Sequence, residues 1–166
     1  MTDKTFADSC IDRNARYAAT FDKGDLPAPP ARKAAVVACM DARLDTARLL
    51  GLEEGDAHVI RNAGGVVTDD VLRSLLISQR LLGTREIVLV QHTGCGMMTF
   101  RDDGIKDAIE TETGLRPPFA LEAFADLEKN VLQSIRRIEA CPFIPLKDSI
   151  RGFVYEVETG RLREVT

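Results

Sequence analysis

The chain has 166 residues, a length that suits one domain able to bury roughly 70% of the surface its unfolded form exposes. Its composition, 45% hydrophobic and 29% charged, is that of a soluble globular protein. A formal net charge of −4 with no concentrated basic face argues against a nucleic-acid partner, and the longest apolar run, Ala34 to Met40, is too short to span a bilayer. The opening residues, Met1 to Phe6, lack the basic-then-apolar layout of a secretory signal, so a cytoplasmic location is expected.

Residues 3–21 place Phe6, Cys10, Ile11, Tyr17, Ala18 and Phe21 at helical spacing, which predicts an amphipathic N-terminal arm. A Pro-rich linker, residues 26–32, follows this arm (residues 1–25) and sets it apart from the rest of one domain spanning 1–166. Tethered this way, the apolar stripe is expected to pack on a partner subunit. Ala34 to Cys39 is continuously apolar, the pattern of a strand buried on both faces. A short helix over 46–50 and a second strand over 56–61 come next, then the turn Asn62-Ala63-Gly64-Gly65.

The clearest helix covers 69–82, with Val71, Leu72, Leu75, Leu76 and Leu82 on one side, acidic residues at its start and Gly83 at its end. Glu86 to Gln91 is the third strand. Helical patterns follow at 102–112 and 119–139, then a strand over 152–157 and a short final one after Thr159-Gly160. Strands alternating with helices predict an α/β fold, with a mainly parallel sheet of four to five strands in the order 2-1-3-4 flanked by helices.

Chemistry concentrates in Cys39-Met-Asp41-Ala-Arg43 and His92-Thr-Gly-Cys95. Cys39 ends the first strand, while His92 and Cys95 follow the third. In the expected strand order those ends meet at the crevice where the winding reverses. Two thiolates and an imidazole suit one Zn²⁺ per subunit, and three protein ligands leave a coordination position for water, as catalytic zinc requires. Cys10 and Cys141 read as structural or incidental. A closed structural site needs one of them as a fourth ligand.

Alternation along an extended segment would turn Cys39, Asp41 and Arg43 the same way, putting a carboxylate and a guanidinium beside the metal. Two thiolates cancel the formal charge of Zn²⁺ and weaken its effect on water. Asp41 as hydrogen-bond acceptor, fixed and kept ionised by Arg43, helps compensate. Released by Arg43, Asp41 could instead occupy the open position as a fourth ligand and block the site. A phosphatase-type loop would need Arg at position 45, which is Asp. His58 reads as a packed or edge histidine. Gly64 and Gly65 form a turn whose N–H groups can also contact substrate.

On these residues, together with Arg61-Asn62-Ala63-Gly64, the chain resembles a β-class carbonic anhydrase of the small bacterial branch over nearly its whole length. The resemblance implies zinc on Cys39, His92 and Cys95, an Asp41–Arg43 catalytic dyad, and backbone near Gly64 beside the substrate. It further implies homodimers or dimers of dimers, and hydration of CO₂ to bicarbonate by zinc-bound hydroxide. Plant-type members carry Gln where Glu53 falls; Glu53, acceptor-only when ionised, does not reproduce that contact. Hydrolysis of carbonyl sulfide or carbon disulfide uses the same machinery. A non-catalytic zinc-binding regulatory protein is a third reading, against which the intact dyad speaks.

Overall fold

The computed structural model describes residues 4–166. Five strands form one sheet: β1 (Ala34–Cys39), β2 (Ala57–Asn62), β3 (Glu86–His92), β4 (Ile150–Glu156) and β5 (Arg161–Val165). Their order is β2-β1-β3-β4-β5, with the first four parallel and β5 returning antiparallel along β4. The expected 2-1-3-4 order is therefore present, extended by one hairpin. Its turn at Thr159-Gly160 uses Gly160 at φ 72°, where a side chain would be strained.

Helices α1 (Phe6–Ala18), α2 (Thr46–Leu50), α3 (Asp69–Leu82), α4 (Asp102–Thr113) and α5 (Leu127–Ala140) connect or precede the strands. The continuous apolar reading of β1 is explained by its two covered faces. Ala35 and Val37 pack with Ile87 and Leu89 against Val71 and Leu75 of α3 and Ile138 of α5. Val36 and Ala38, facing the other way with Val90, meet Leu49 and Leu50 of α2. Such alternation across a strand buried on both sides is what removes polar residues from its sequence.

Helix boundaries follow local chemistry. α3 spans the residues expected: the Thr68 side chain caps its start, and Gly83 adopts the left-handed conformation that ends it. α1 is shorter than the expected 3–21, and position 3 lies outside the described residues. A reciprocal capping box between Thr5 and Asp8 starts this helix. No helix among the described residues is long and apolar enough to cross a membrane.

The expected helix over 119–139 begins only at Leu127. The Asp102 carboxylate accepts the N–H groups of Leu121, Glu122 and Ala123 at 2.7, 3.2 and 2.9 Å, and Glu122 sits at φ 65°. Those bonds hold the segment out of the helical conformation until Asp126 caps α5. Apolar periodicity alone carries no trace of a carboxylate about twenty residues upstream.

The N–H groups of Ala123, then Leu121 and Glu122, hold the Asp102 carboxyl below its ordinary value despite the opposing effect of burial. The stability this contributes is present above the ordinary carboxylate pKa and is lost as pH falls through the lowered one. Asp102→Ala is expected to cost about 2 kcal/mol and to accelerate hydrogen exchange at residues 121–123. Exchange at those amides unchanged from wild type would contradict the assignment.

Candidate metal centre

The register of the sheet sets the site. Cys39, last in β1, pairs with Asn62, while His92 is the last residue of β3 rather than beyond it. Cys95 follows after a turn in which Gly94 takes φ 62°. The Cys39, His92 and Cys95 donor atoms all lie within 4.8 Å of one another, and all three residues are buried. That span is close to what bonds of about 2.0–2.3 Å to one zinc ion bridge.

Hydrogen bonding leaves one of these donor atoms, His92 Nε2, unsatisfied. His92 is fully buried, and its Nδ1 lies 2.9 Å from the Thr93 carbonyl, which can only accept, so Nδ1 carries the proton. Nε2 then presents a lone pair, and it is buried with no hydrogen-bond partner. The closest carboxylate oxygen, on Asp41, is 3.6 Å away. Burial opposes protonation of this imidazole, yet the Cys39 sulfur and the Thr93 carbonyl raise its affinity for a proton above the ordinary value.

The Cys39 thiol is pushed down to about 4, first by a hydrogen bond from Cys95 and then, against burial, by His92 and by the Asp41 and Gly64 N–H groups. Cys95 is pushed upward by the neighbouring sulfur and by burial. An anionic sulfur, a second sulfur and an aimed lone pair in one buried spot call for a cation, and soft donors of this kind fit zinc.

Asp41 and Arg43 stand beside the cluster. The Asp41 carboxylate accepts Arg43 Nε at 2.9 Å and Nη2 at 2.7 Å, and also the Arg43 backbone N–H at 2.9 Å. Such a two-point pair is directional as well as strong. The Arg43 guanidinium, followed by the Arg43 N–H, holds the Asp41 carboxyl well below the usual carboxylate range. The pairing does not come from strand-like alternation: beyond Cys39 the chain leaves the sheet and turns at residues 42–43, and the backbone bond to Asp41 closes that turn. Arg43 Nη2 also donates to the Gly94 carbonyl at 3.1 Å.

A cleft of about 190 Å³ opens on the cluster, lined by Cys39, Met40, Asp41, Ala63, Gly64, Cys95, Gly96 and Met97. Gly64 lies in its wall at φ 80°. Gly65 is placed differently. It packs beneath Cys39, where a Cβ would stand 2.8 Å from the Cys39 nitrogen, so its role is close backbone approach rather than lining the cleft. Asn62 braces this turn with two bonds to Val66, at 2.8 and 3.0 Å.

Cys10 is exposed on α1 and Cys141 is buried at the end of α5. Neither joins the cluster, so no further cysteine serves as a fourth ligand among the described residues. His58 is half-buried and bonded through Nδ1 to Ser78 at 2.7 Å, a packed histidine as expected. Glu53 lies in the α2–β2 turn, which leads into the start of β2, whereas the cluster sits at the strands' carboxyl ends. The residue missed by sequence reasoning is Arg61, whose side chain reaches the backbone around Met40. It was visible only as part of the Arg61–Gly64 motif.

Residues 34–162 match the carbonic anhydrase family. The chain belongs to the β-carbonic anhydrases. It is 59% identical over 162 residues to "Beta-carbonic anhydrase 1" of Mycobacterium tuberculosis, covering 98% of this chain and 99% of that one. The crystal structure of carbonic anhydrase from Streptococcus mutans superimposes with a TM-score of 0.92 at 41% identity, covering 98% of both chains. A more distant relative, the carbon disulfide hydrolase of Acidianus sp., is 34% identical over 96% of this chain and 88% of its own length. β-Carbonic anhydrases thus share this chain's architecture from end to end.

The two neighbouring sulfurs push each other's proton affinity apart, Cys39 down and Cys95 up, so they do not both ionise readily without a cation, and metal uptake, which takes both as thiolates, displaces at least one proton. Zinc affinity, measured by chelator competition, is expected to rise about tenfold per pH unit around neutrality. A pH-independent affinity would overturn this account of the two sulfurs.

Proposed function

We propose that the chain catalyses reversible hydration of carbon dioxide to bicarbonate and a proton, with one zinc ion per subunit held by Cys39, His92 and Cys95. The observation that carries this reading is the Asp41–Arg43 pair, bonded at two points and set 3.6 Å from the unpartnered His92 nitrogen. A metal site serving structure alone has no use for such a pair. Zinc bound there supplies Lewis acidity that brings a water molecule's pKa toward neutrality.

The remaining steps belong to the chain's own groups. Asp41, ionised across the working pH range, accepts a hydrogen bond from the attacking solvent and turns its free lone pair toward the cleft. Arg43 keeps the carboxylate from rotating, and by holding its pKa low prevents it from storing the released proton. Asp41 therefore orients the nucleophile, and the proton departs to solvent buffer. The cleft, walled by Ala63, Gly64 and Met97, suits a small apolar substrate. The 59% identical relative named as a β-carbonic anhydrase supports CO₂ over the sulfur analogue, whose named hydrolase is 34% identical.

A stopped-flow pH-indicator assay with CO₂, run beside sulfide release from carbonyl sulfide and carbon disulfide, tests the reading. CO₂ hydration is expected to dominate. Asp41→Ala should lower kcat/KM about 100-fold or more while zinc stays bound, and Cys95→Ala should lose zinc. Sulfide release faster than CO₂ hydration would reverse the substrate assignment.

The assembly is a homodimer or dimer of dimers, built through α1. Phe6 and Ile11 are 79% and 70% exposed, and no residue of α1 is buried within its own chain. An apolar stripe of that kind requires cover. Removing residues 1–25 is expected to give a smaller species in sedimentation velocity, and an unchanged profile would contradict it. Four free cysteines suit the reducing cytoplasm.

A further inference from the structure

Arg61 is the penultimate residue of β2, opposite Ala38 in register. Its Nε–H donates to the Cys39 carbonyl at 2.9 Å and an Nη2–H to the Asp41 carbonyl at 2.7 Å. A guanidinium usually seeks a carboxylate; here its hydrogen bonds go to two main-chain oxygens on either side of Met40.

These oxygens lie where β1 leaves the sheet. The Met40 N–H makes the last ladder bond, to Asn62 at 2.8 Å, and the chain then turns toward Arg43. Past that bond, among the described residues, Arg61 alone ties the segment to β2, while the Leu44 N–H donates to the same Asp41 carbonyl at 3.0 Å. Each clamped carbonyl belongs to a peptide flanking the Met40–Asp41 peptide, so the middle peptide is braced on both sides. Its N–H is the one directed at the Cys39 sulfur. A planar guanidinium holds two acceptors at fixed separation and direction, which a lysine ammonium, a point donor on a flexible stem, does not reproduce.

We propose that Arg61 is a positioning residue for the acid–base pair: by bridging the Cys39 and Asp41 carbonyls it sets the direction from which the Asp41 carboxylate meets Arg43. The inference rests on the reading of Asp41 as the acceptor that orients solvent. Arg61 touches none of the reacting atoms; it acts through Asp41. It is not needed to join β1 to β2, because the ladder from Ala34↔Ala57 to Cys39↔Asn62 does so without it.

The test uses the zinc-loaded full chain carrying Arg61→Gln, Arg61→Lys, Asp41→Ala, or Asp41→Ala with Arg61→Gln. Arg61→Gln is expected to keep one zinc per chain and to lower kcat about 10- to 100-fold. KM should stay within about twofold, and Arg61→Lys should not restore the rate. In the Asp41→Ala background Arg61→Gln should change kcat less than about twofold, the non-additivity expected of two groups acting as one. A crystal structure of Arg61→Gln should show the Asp41 carboxylate displaced from Arg43.

Equal losses of kcat in both backgrounds, loss of zinc, or an unmoved Asp41–Arg43 pair would overturn the proposal. If Arg61→Gln does not fold, Arg61→Lys carries the crystallographic comparison. Should the wild-type protein fail to hydrate CO₂, the functional reading falls, while that comparison still decides what Arg61 holds in place.

Discussion

A buried lone pair on His92 Nε2, with two sulfurs within 4.8 Å of it, makes a pocket whose charge only a cation can neutralise. Leaving such groups buried and unpaired is costly, and the surrounding fold accepts that cost at one point of an otherwise apolar sheet. The Thr93 carbonyl fixes the imidazole tautomer, and main-chain N–H groups of Asp41 and Gly64 favour the charged form of Cys39. The donors are thus preorganised by neighbouring main-chain groups.

Parallel topology explains why ligands about fifty residues apart meet. β1 sits between β2 and β3, so the chain winds to opposite sides after β1, and the carboxyl ends of adjacent strands open onto a shared crevice. Close backbone approach completes the floor. Gly65 lies against the Cys39 nitrogen at a distance that excludes any side chain, and the adjoining Gly64 N–H is directed at the sulfur.

Much of this was legible in the sequence because the relevant signals are local. Continuous apolarity marked β1, and capping residues marked α3 to its last residue. The placement of Cys39 and His92 at strand ends followed from where apolar runs stop, although His92 completes β3 instead of following it. What escaped was set by contacts distant in the chain. Asp102 unwinds residues 121–123, Arg61 reaches back to the backbone around Met40, and Gly65 packs under a strand rather than lining the cleft. The exposed side of α1 was readable as amphipathic, since a helix registers its apolar stripe whether or not its own chain covers it.

The bond from Arg43 Nη2 to the Gly94 carbonyl ties the Asp41–Arg43 pair to the turn that joins His92 to Cys95. Thr93, Gly94 and Cys95 therefore cannot shift without pulling on the guanidinium, and through it on the carboxylate. The donor cluster and the Asp41–Arg43 pair are thus mechanically coupled in this architecture. A subunit whose Cys95 turn is out of place has a displaced carboxylate as well.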